Sequence, residues 1–196
     1  MSTVATRLGS AADLEEYRKH VLAGRDPAMR RVRVCIGTGC TAKGSLKVLE
    51  RFREAAGELE DQSVAVETKC TGCHGLCELG PIVVVDPGNT FYHGVKEEDV
   101  PEIWRESVIG GRAVERLLYE DEATGTLART PEEIPFYKAQ QRIVLALNGV
   151  VDPTSIDDYL AAGGYAALAK ALDSMTSDEV IAVSYTHLTL PTILLV

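Results

Sequence analysis

The sequence predicts an α/β fold, a small mixed sheet with helices packed on it, followed by a short helical segment. Three observations carry this. Val32, Val34 and Ile36 alternate with Arg33 and Cys35, the period of a strand, and a helical pattern and a second strand pattern follow. The apolar run Ile82-Val83-Val84-Val85 stops at Asp86-Pro87-Gly88-Asn89 and resumes at Thr90, which reads as a hairpin. Beyond Thr130 the strand signals cease and helix signals take over.

The elements follow in order. Residues 10–23 form an amphipathic helix, with Ser10 three residues before Asp13 as a cap and Leu14, Tyr17, Val21 and Leu22 on one face. The first strand covers 32–36, and Gly37-Thr38-Gly39-Cys40 makes a tight loop. Residues 43–56 return to a helical period, with Leu46, Leu49, Phe52 and Ala56 on one face and Gly57 as the stop. Ser63 to Thr68 is a second strand through Val64 and Val66. Cys70 to Gly80 is a loop rich in glycine and cysteine. The hairpin comes next, then a helix from Glu97 to Ser107, opened by acidic residues that suit a helix N-terminus and ended at Gly110-Gly111. A parallel unit, a hairpin and a covering helix match a thioredoxin-like layout.

Residues 119–133, with Glu120-Asp121-Glu122 and Gly125, read as an acidic linker. Thr130-Pro131-Glu132-Glu133 has the form of a helix start. Residues 136–147 carry Ile143, Val144 and Leu147 in helical spacing, and Ser155–Ala162, Tyr165–Leu172 and a segment from Thr176 follow as short helices. The expected boundaries are thus 1–26 for an N-terminal helical extension, 27–118 for the α/β domain, 119–133 for the linker and 134–182 for the helical part.

The 196 residues carry a formal charge of −9. An acidic surface repels nucleic acid and anionic membranes, so both are set aside as partners. No stretch reaches the roughly 18 apolar residues that span a bilayer. The N-terminus mixes acids and bases, unlike a secretory signal, and the expectation is a cytoplasmic protein.

All five cysteines, Cys35, Cys40, Cys70, Cys73 and Cys77, lie within one stretch. An odd number in a chain without an export signal argues against a disulfide framework and for a metal or redox site. Cys35 and Cys40 enclose four residues, and Cys73 and Cys77 enclose three. Two pairs of thiolates can serve two tetrahedral irons, as a [2Fe–2S] centre needs. Gly37, Gly39, Gly72 and Gly75 let the backbone approach closely, so that N–H groups can point at sulfur. Spacing alone leaves two rivals: structural zinc on the same thiolates, and thiol–disulfide exchange at Cys70-Thr71-Gly72-Cys73. Leaving Cys70 out keeps two separate pairs and makes it a strand-end thiol beside the site. His74 is read as a loop residue near the site, because a full thiolate set is already present. Glu78 is read as a solvated loop acid.

The strings Val34-Cys35-Ile36-Gly37-Thr38-Gly39-Cys40 and Thr71-Gly72-Cys73-His74-Gly75-Leu76-Cys77-Glu78-Leu79-Gly80-Pro81 resemble the thioredoxin-like [2Fe–2S] ferredoxin domain. Such a domain stands at the N-terminus of NADH-oxidising flavoprotein subunits similar to that of respiratory complex I. These subunits occur in NAD-linked, often electron-bifurcating, hydrogenases and in formate dehydrogenases. Phe91-Tyr92-His93-Gly94-Val95 fits the same pattern. Ile134-Pro135-Phe136-Tyr137, Gln141-Arg142-Ile143-Val144-Leu145, Asn148-Gly149-Val150-Val151-Asp152-Pro153 and Tyr159 to Tyr165 resemble the opening of the flavoprotein proper.

The resemblance implies a cluster on Cys35, Cys40, Cys73 and Cys77, no catalytic residue in this chain, and other iron–sulfur subunits as partners. FMN, NAD and a [4Fe–4S] cluster are implied only for a C-terminal part that this sequence lacks; no G-x-G-x-x-G pattern is present. From about Val183 the chain resembles the translation of a sequencing-library adapter, so residues 183–196 are expected to be a non-native tail and the natural chain to continue differently.

Overall fold

The computed structural model describes residues 7–26, 28–58 and 65–187. Ser63 and Val64, where the second strand was expected to start, lie outside them, as do most of the adapter-like tail and the first residues of the N-terminal extension. The chain divides into two compact units, one made of residues 25–159 and the other of residues 1–24 with 160–196.

The larger unit is built on a four-stranded sheet. Its strands are β1 (Arg30–Cys35), β2 (Val66–Thr71), β3 (Val83–Asp86) and β4 (Thr90–Tyr92), in the order β2-β1-β3-β4. β1 and β2 run parallel, with Val34 opposite Cys70 and Cys35 opposite Thr71. β3 is antiparallel to both β1 and β4. This is the expected parallel unit plus hairpin. β2 begins and ends about three residues later than its apolar pattern indicated. Val-Glu-Thr-Lys-Cys-Thr has little alternation of its own, and its partner β1 sets its limits.

The two faces of the sheet are both buried, and residue alternation assigns them. Val32, Val34, Cys70, Val83, Val85 and Tyr92 point to one face. There they meet α3 (Ser45–Gly57) and the helical stretch containing α4 (Val100–Ile103). Cys35, Ile82, Val84 and Phe91 point to the other, where Ala128 and Ile134 cover them. α3 buries Ser45, Val48, Leu49 and Phe52, an i, i+3, i+4, i+7 stripe. Leu46, expected on that face, is 51% exposed. The helix after the hairpin runs on from Val100 into a wider winding that ends at Ile109. Tyr92 joins it to the core: its hydroxyl donates to Ser107 Oγ at 2.9 Å and accepts from the Val114 N–H at 3.0 Å.

Residues 119–133, expected as an irregular acidic linker, contain regular structure. Tyr119–Asp121 (β5) and Thr126–Ala128 (β6) pair as an antiparallel hairpin. The flanks of this hairpin also close the edge of β4, since Phe91 N–H donates to the Arg129 carbonyl at 2.8 Å and His93 N–H to Leu117 at 3.1 Å. An otherwise open sheet edge is thereby covered. The helix expected over 136–147 is only α5 (Pro135–Lys138), and residues 144–150 are turns. Ile143 and Val144 are 78% and 92% exposed. Their apolar period is therefore not a buried helical face. Arg142 and Gly149, at either end, are instead held by His74 and Arg33.

In the smaller unit, α1 (Ala11–Ala23) is capped as its sequence indicates, with Asp13 N–H donating to Ser10 Oγ at 3.1 Å. Leu14, Tyr17 and Val21 are half-buried and Leu22 is exposed. α6 (Ile156–Ala161) crosses the boundary between the units, and α7 (Ala166–Ser174) packs on α1. α8 (Ser177–His187) follows. Among the described residues no helix is long and apolar enough to cross a membrane.

Candidate cluster-binding site

Cys35 is the last residue of β1 and its side chain is fully buried. Cys40 lies in α2 (Thr38–Ala42), a single helical turn where a loop was expected. Cys73 follows the end of β2, and Cys77 opens a short 3₁₀ turn. The strand ends are tied together: Ile36 N–H donates to Thr71, and Cys35 N–H to Ile82, each at 3.0 Å. The two cysteine loops therefore leave the same end of the sheet side by side.

The loops also interlock. A Cβ on Gly37 would stand 2.9 Å from Cys73 Cβ, and one on Gly39 would stand 2.9 Å from Cys77 Cβ. Only glycine at both positions allows this approach. Gly80, which the sequence pattern did not single out, does the same for Cys40, whose Sγ would be 2.6 Å from an added Cβ. Cys73 and Cys77 Sγ are 3.4 Å apart, and Cys35 and Cys40 act strongly on each other's ionisation. Among the described residues no three His, Cys, Asp or Glu side chains close on a single metal ion. The four thiols form an inner pair, Cys35 and Cys40, and an outer pair, the half-buried Cys73 and exposed Cys77.

Backbone amides lie close to the sulfurs. Gly75 N–H donates to Cys73 Sγ at 3.3 Å. The backbone amides of His74 and Gly37 favour the ionised form of Cys35, and that of Ile82 the ionised form of Cys40. The Cys40 thiol beside it, helped by the two backbone donors, brings Cys35 down to about 6. Cys35 in turn pushes Cys40 up, and burial and Cys77 push Cys73 up. Four thiols this close cannot all ionise together unless cations neutralise them. Thiolates are the ligands of iron–sulfur clusters, and N–H groups aimed at them are the usual supporting shell. The donor set fits a [2Fe–2S] group.

Cys70 points away from the other four thiols. It alternates with Thr71 in β2, so its side chain lies on the α3 face of the sheet, opposite Cys35 and Cys40. Its thiol donates to Asp152 Oδ1 at 3.2 Å, and burial together with that carboxylate pushes its pKa up. A buried thiol held protonated is a poor nucleophile, so the geometry does not favour exchange chemistry at Cys70 and Cys73.

His74 is more than a loop residue. Its ring is buried, meets Thr71 Oγ1 at 3.2 Å and packs edge-on against Phe91. Burial, then the charges of Arg33 and Arg142, hold it down to about 4, so it is neutral at physiological pH. Gly149, with φ +82°, fits against this ring where a Cβ would be 2.6 Å away. The His74 carbonyl accepts from Tyr137 Oη at 3.0 Å and from the Arg142 guanidinium. Glu78 is exposed, as expected. No spacing signal in the sequence marks Tyr137, Arg142 or Gly149 as neighbours of the site; only folding of the later segment onto the loop does so.

A thiol-lined site at one end of a thioredoxin-like sheet defines a small electron-carrier class. The thioredoxin-like [2Fe–2S] ferredoxin profile matches residues 20–107. The chain is 40% identical over 78 residues to a [2Fe–2S] ferredoxin of Clostridium pasteurianum, covering 40% of this chain and 76% of the relative. It is 38% identical over 79 residues to one from Aquifex aeolicus, covering 40% and 71%. The wild-type crystal structure of the thioredoxin-like ferredoxin from Aquifex aeolicus aligns over 47% of this chain and 98% of that one, at 34% identity and a TM-score of 0.42. The chain belongs to the thioredoxin-like [2Fe–2S] ferredoxin family, and its cofactor is a [2Fe–2S] cluster.

Proposed function

We propose that Cys35, Cys40, Cys73 and Cys77 ligate the cluster, and that the chain passes single electrons within an NADH-dependent flavin and iron–sulfur oxidoreductase. The observation that carries the ligand set is the interlock of the two loops, in which Gly37 and Gly39 bring the 35/40 and 73/77 pairs together. The bound cluster supplies one-electron chemistry, accepting and releasing an electron without forming a bond to substrate. The chain's part is to hold four thiolates, to aim backbone N–H groups at them, and to leave the Cys73 and Cys77 side open to an electron partner.

The parent enzyme is read as a complex I-like flavoprotein subunit, or its counterpart in a bifurcating hydrogenase or formate dehydrogenase. The support is the set of strings from Ile134 to Tyr165 beyond the ferredoxin match. In this reading residues 134–182 open the flavoprotein domain, residues 183–196 are a foreign tail, and FMN, NAD and a [4Fe–4S] cluster belong to the C-terminal part. Partners are other iron–sulfur subunits, in the cytoplasm. The test is visible absorbance and low-temperature paramagnetic resonance of the chain purified without oxygen, before and after reduction. A brown protein with a paramagnetic signal only when reduced supports the proposal. A colourless protein with stoichiometric zinc overturns it.

A further inference from the structure

Resting on the ligand assignment above, we propose that Arg142 and Tyr137 are positioning residues that raise the reduction potential of the centre through the His74–Gly75 peptide. The carbonyl of His74 and the N–H of Gly75 belong to one planar amide. The N–H end donates to Cys73 Sγ at 3.3 Å. The carbonyl end accepts from the Tyr137 hydroxyl at 3.0 Å and from the Arg142 guanidinium. Donors on the oxygen draw electron density along the amide and strengthen the bond its N–H makes. Reduction makes the centre more negative, so a stronger N–H donor and a nearby fixed cation favour the reduced state.

The arrangement is built rather than incidental. The Arg142 guanidinium stacks on the Tyr137 ring, 4.8 Å from its centroid, and Nε donates to Gln140 Oε1 at 3.4 Å. Gly75 has φ +96°, and a Cβ there would stand 2.8 Å from Arg142 Nη2. Glycine therefore both turns the loop and leaves room for the guanidinium. Tyr137 and Arg142 lie beyond the residues matched by the ferredoxin family, so this second layer comes from the chain's own extension.

The test is a redox titration of the whole chain, loaded with iron and sulfide and followed by its reduced paramagnetic signal. Arg142→Met is expected to lower the reduction equilibrium about tenfold, equal to about 59 mV for one electron. Arg142→Lys should restore part of this, and Tyr137→Phe should give a smaller fall of the same sign. Lys138→Met, which removes an exposed charge from the same turn, should leave the potential near that of the parent. The proposal is overturned if both Arg142→Met and Tyr137→Phe titrate with the parent, or if Lys138→Met shifts it as far as Arg142→Met. Should Arg142→Met load poorly, Tyr137→Phe decides. If the unsubstituted chain takes up no cluster, the ligand assignment itself fails, which is distinguishable from an unchanged potential in a loaded variant.

Discussion

Asp158→Asn tests whether the segment beyond the family match is structurally part of the ferredoxin unit. Asp158 Oδ2 accepts from Lys69 Nζ on β2 at 2.6 Å and from the Asp152 N–H at 2.8 Å, while Oδ1 takes Arg25 Nη2 at 2.5 Å. The side chains of Lys69 and Asp158 are about one-tenth exposed. Removing the carboxylate charge leaves the Lys69 ammonium buried without a counter-charge, which costs about 3–5 kcal/mol. For a chain of this size each kcal/mol moves Tm by about 2–4 °C, so a fall of roughly 6–20 °C is expected. The effect has a pH signature. Burial pushes Asp158 up, but Lys69, the Asp152 amide and Arg25 outweigh it and hold the carboxyl below its usual range. The folded value is thus below the unfolded one, near 3.9. The stabilisation is fully present above that pH and disappears as pH falls through the folded value. Thermal melts of parent and variant at pH 7 and at steps below pH 5 measure both effects. In the double variant with Lys69→Met, the loss at pH 7 should shrink, because the orphaned charge has gone. An Asp158→Asn variant that melts with the parent at pH 7 would refute the claim that residues 150–158 are fastened to the sheet.

Three further outcomes are expected. Gly39→Ala should impair cluster uptake, because its Cβ meets Cys77 Cβ at 2.9 Å and overpacking of this kind costs about 1–3 kcal/mol; iron content per chain reads it. Tyr92→Phe removes the hydroxyl that bonds Ser107 and the Val114 amide and should destabilise by about 1–3 kcal/mol in urea melts, with no change in absorbance. Phe52→Ala empties the centre of the α3 face, where Phe52 is fully buried, and should cost about 3–5 kcal/mol by the same melts.

The sheet was legible where side chains alternate. Val32, Val34 and Ile36 against Arg33 and Cys35 mark β1, and the unbroken run from Ile82 to Val85 marks β3; that both faces are buried is seen only in the folded sheet. The thiol pairs were equally plain, because glycine recurs between them. The misreadings have physical causes. β2 is polar, so only pairing with β1 places it. Gly37 and Gly39 disfavour helix, yet a turn of helix forms around them and carries Cys40. The acidic 119–133 stretch makes a hairpin because its charges face solvent while Ala128 and the flanking residues pack on β4. Ile143, Val144 and Leu147 have helical spacing but no helix, since Arg142 and Gly149 are pinned by distant partners. Tyr137 and Arg142 sit more than 60 positions from the carbonyl they grip, a separation no local pattern encodes.

The central claim is that four of the five sulfurs, and not the fifth, hold the cluster. Iron and acid-labile sulfide should be counted in five separate alanine variants, one at each cysteine, all prepared without oxygen. The account predicts that Cys70→Ala retains two irons and two sulfides per chain, while Cys35→Ala, Cys40→Ala, Cys73→Ala and Cys77→Ala do not. Full loading of any of those four, or an empty Cys70→Ala variant, would contradict it.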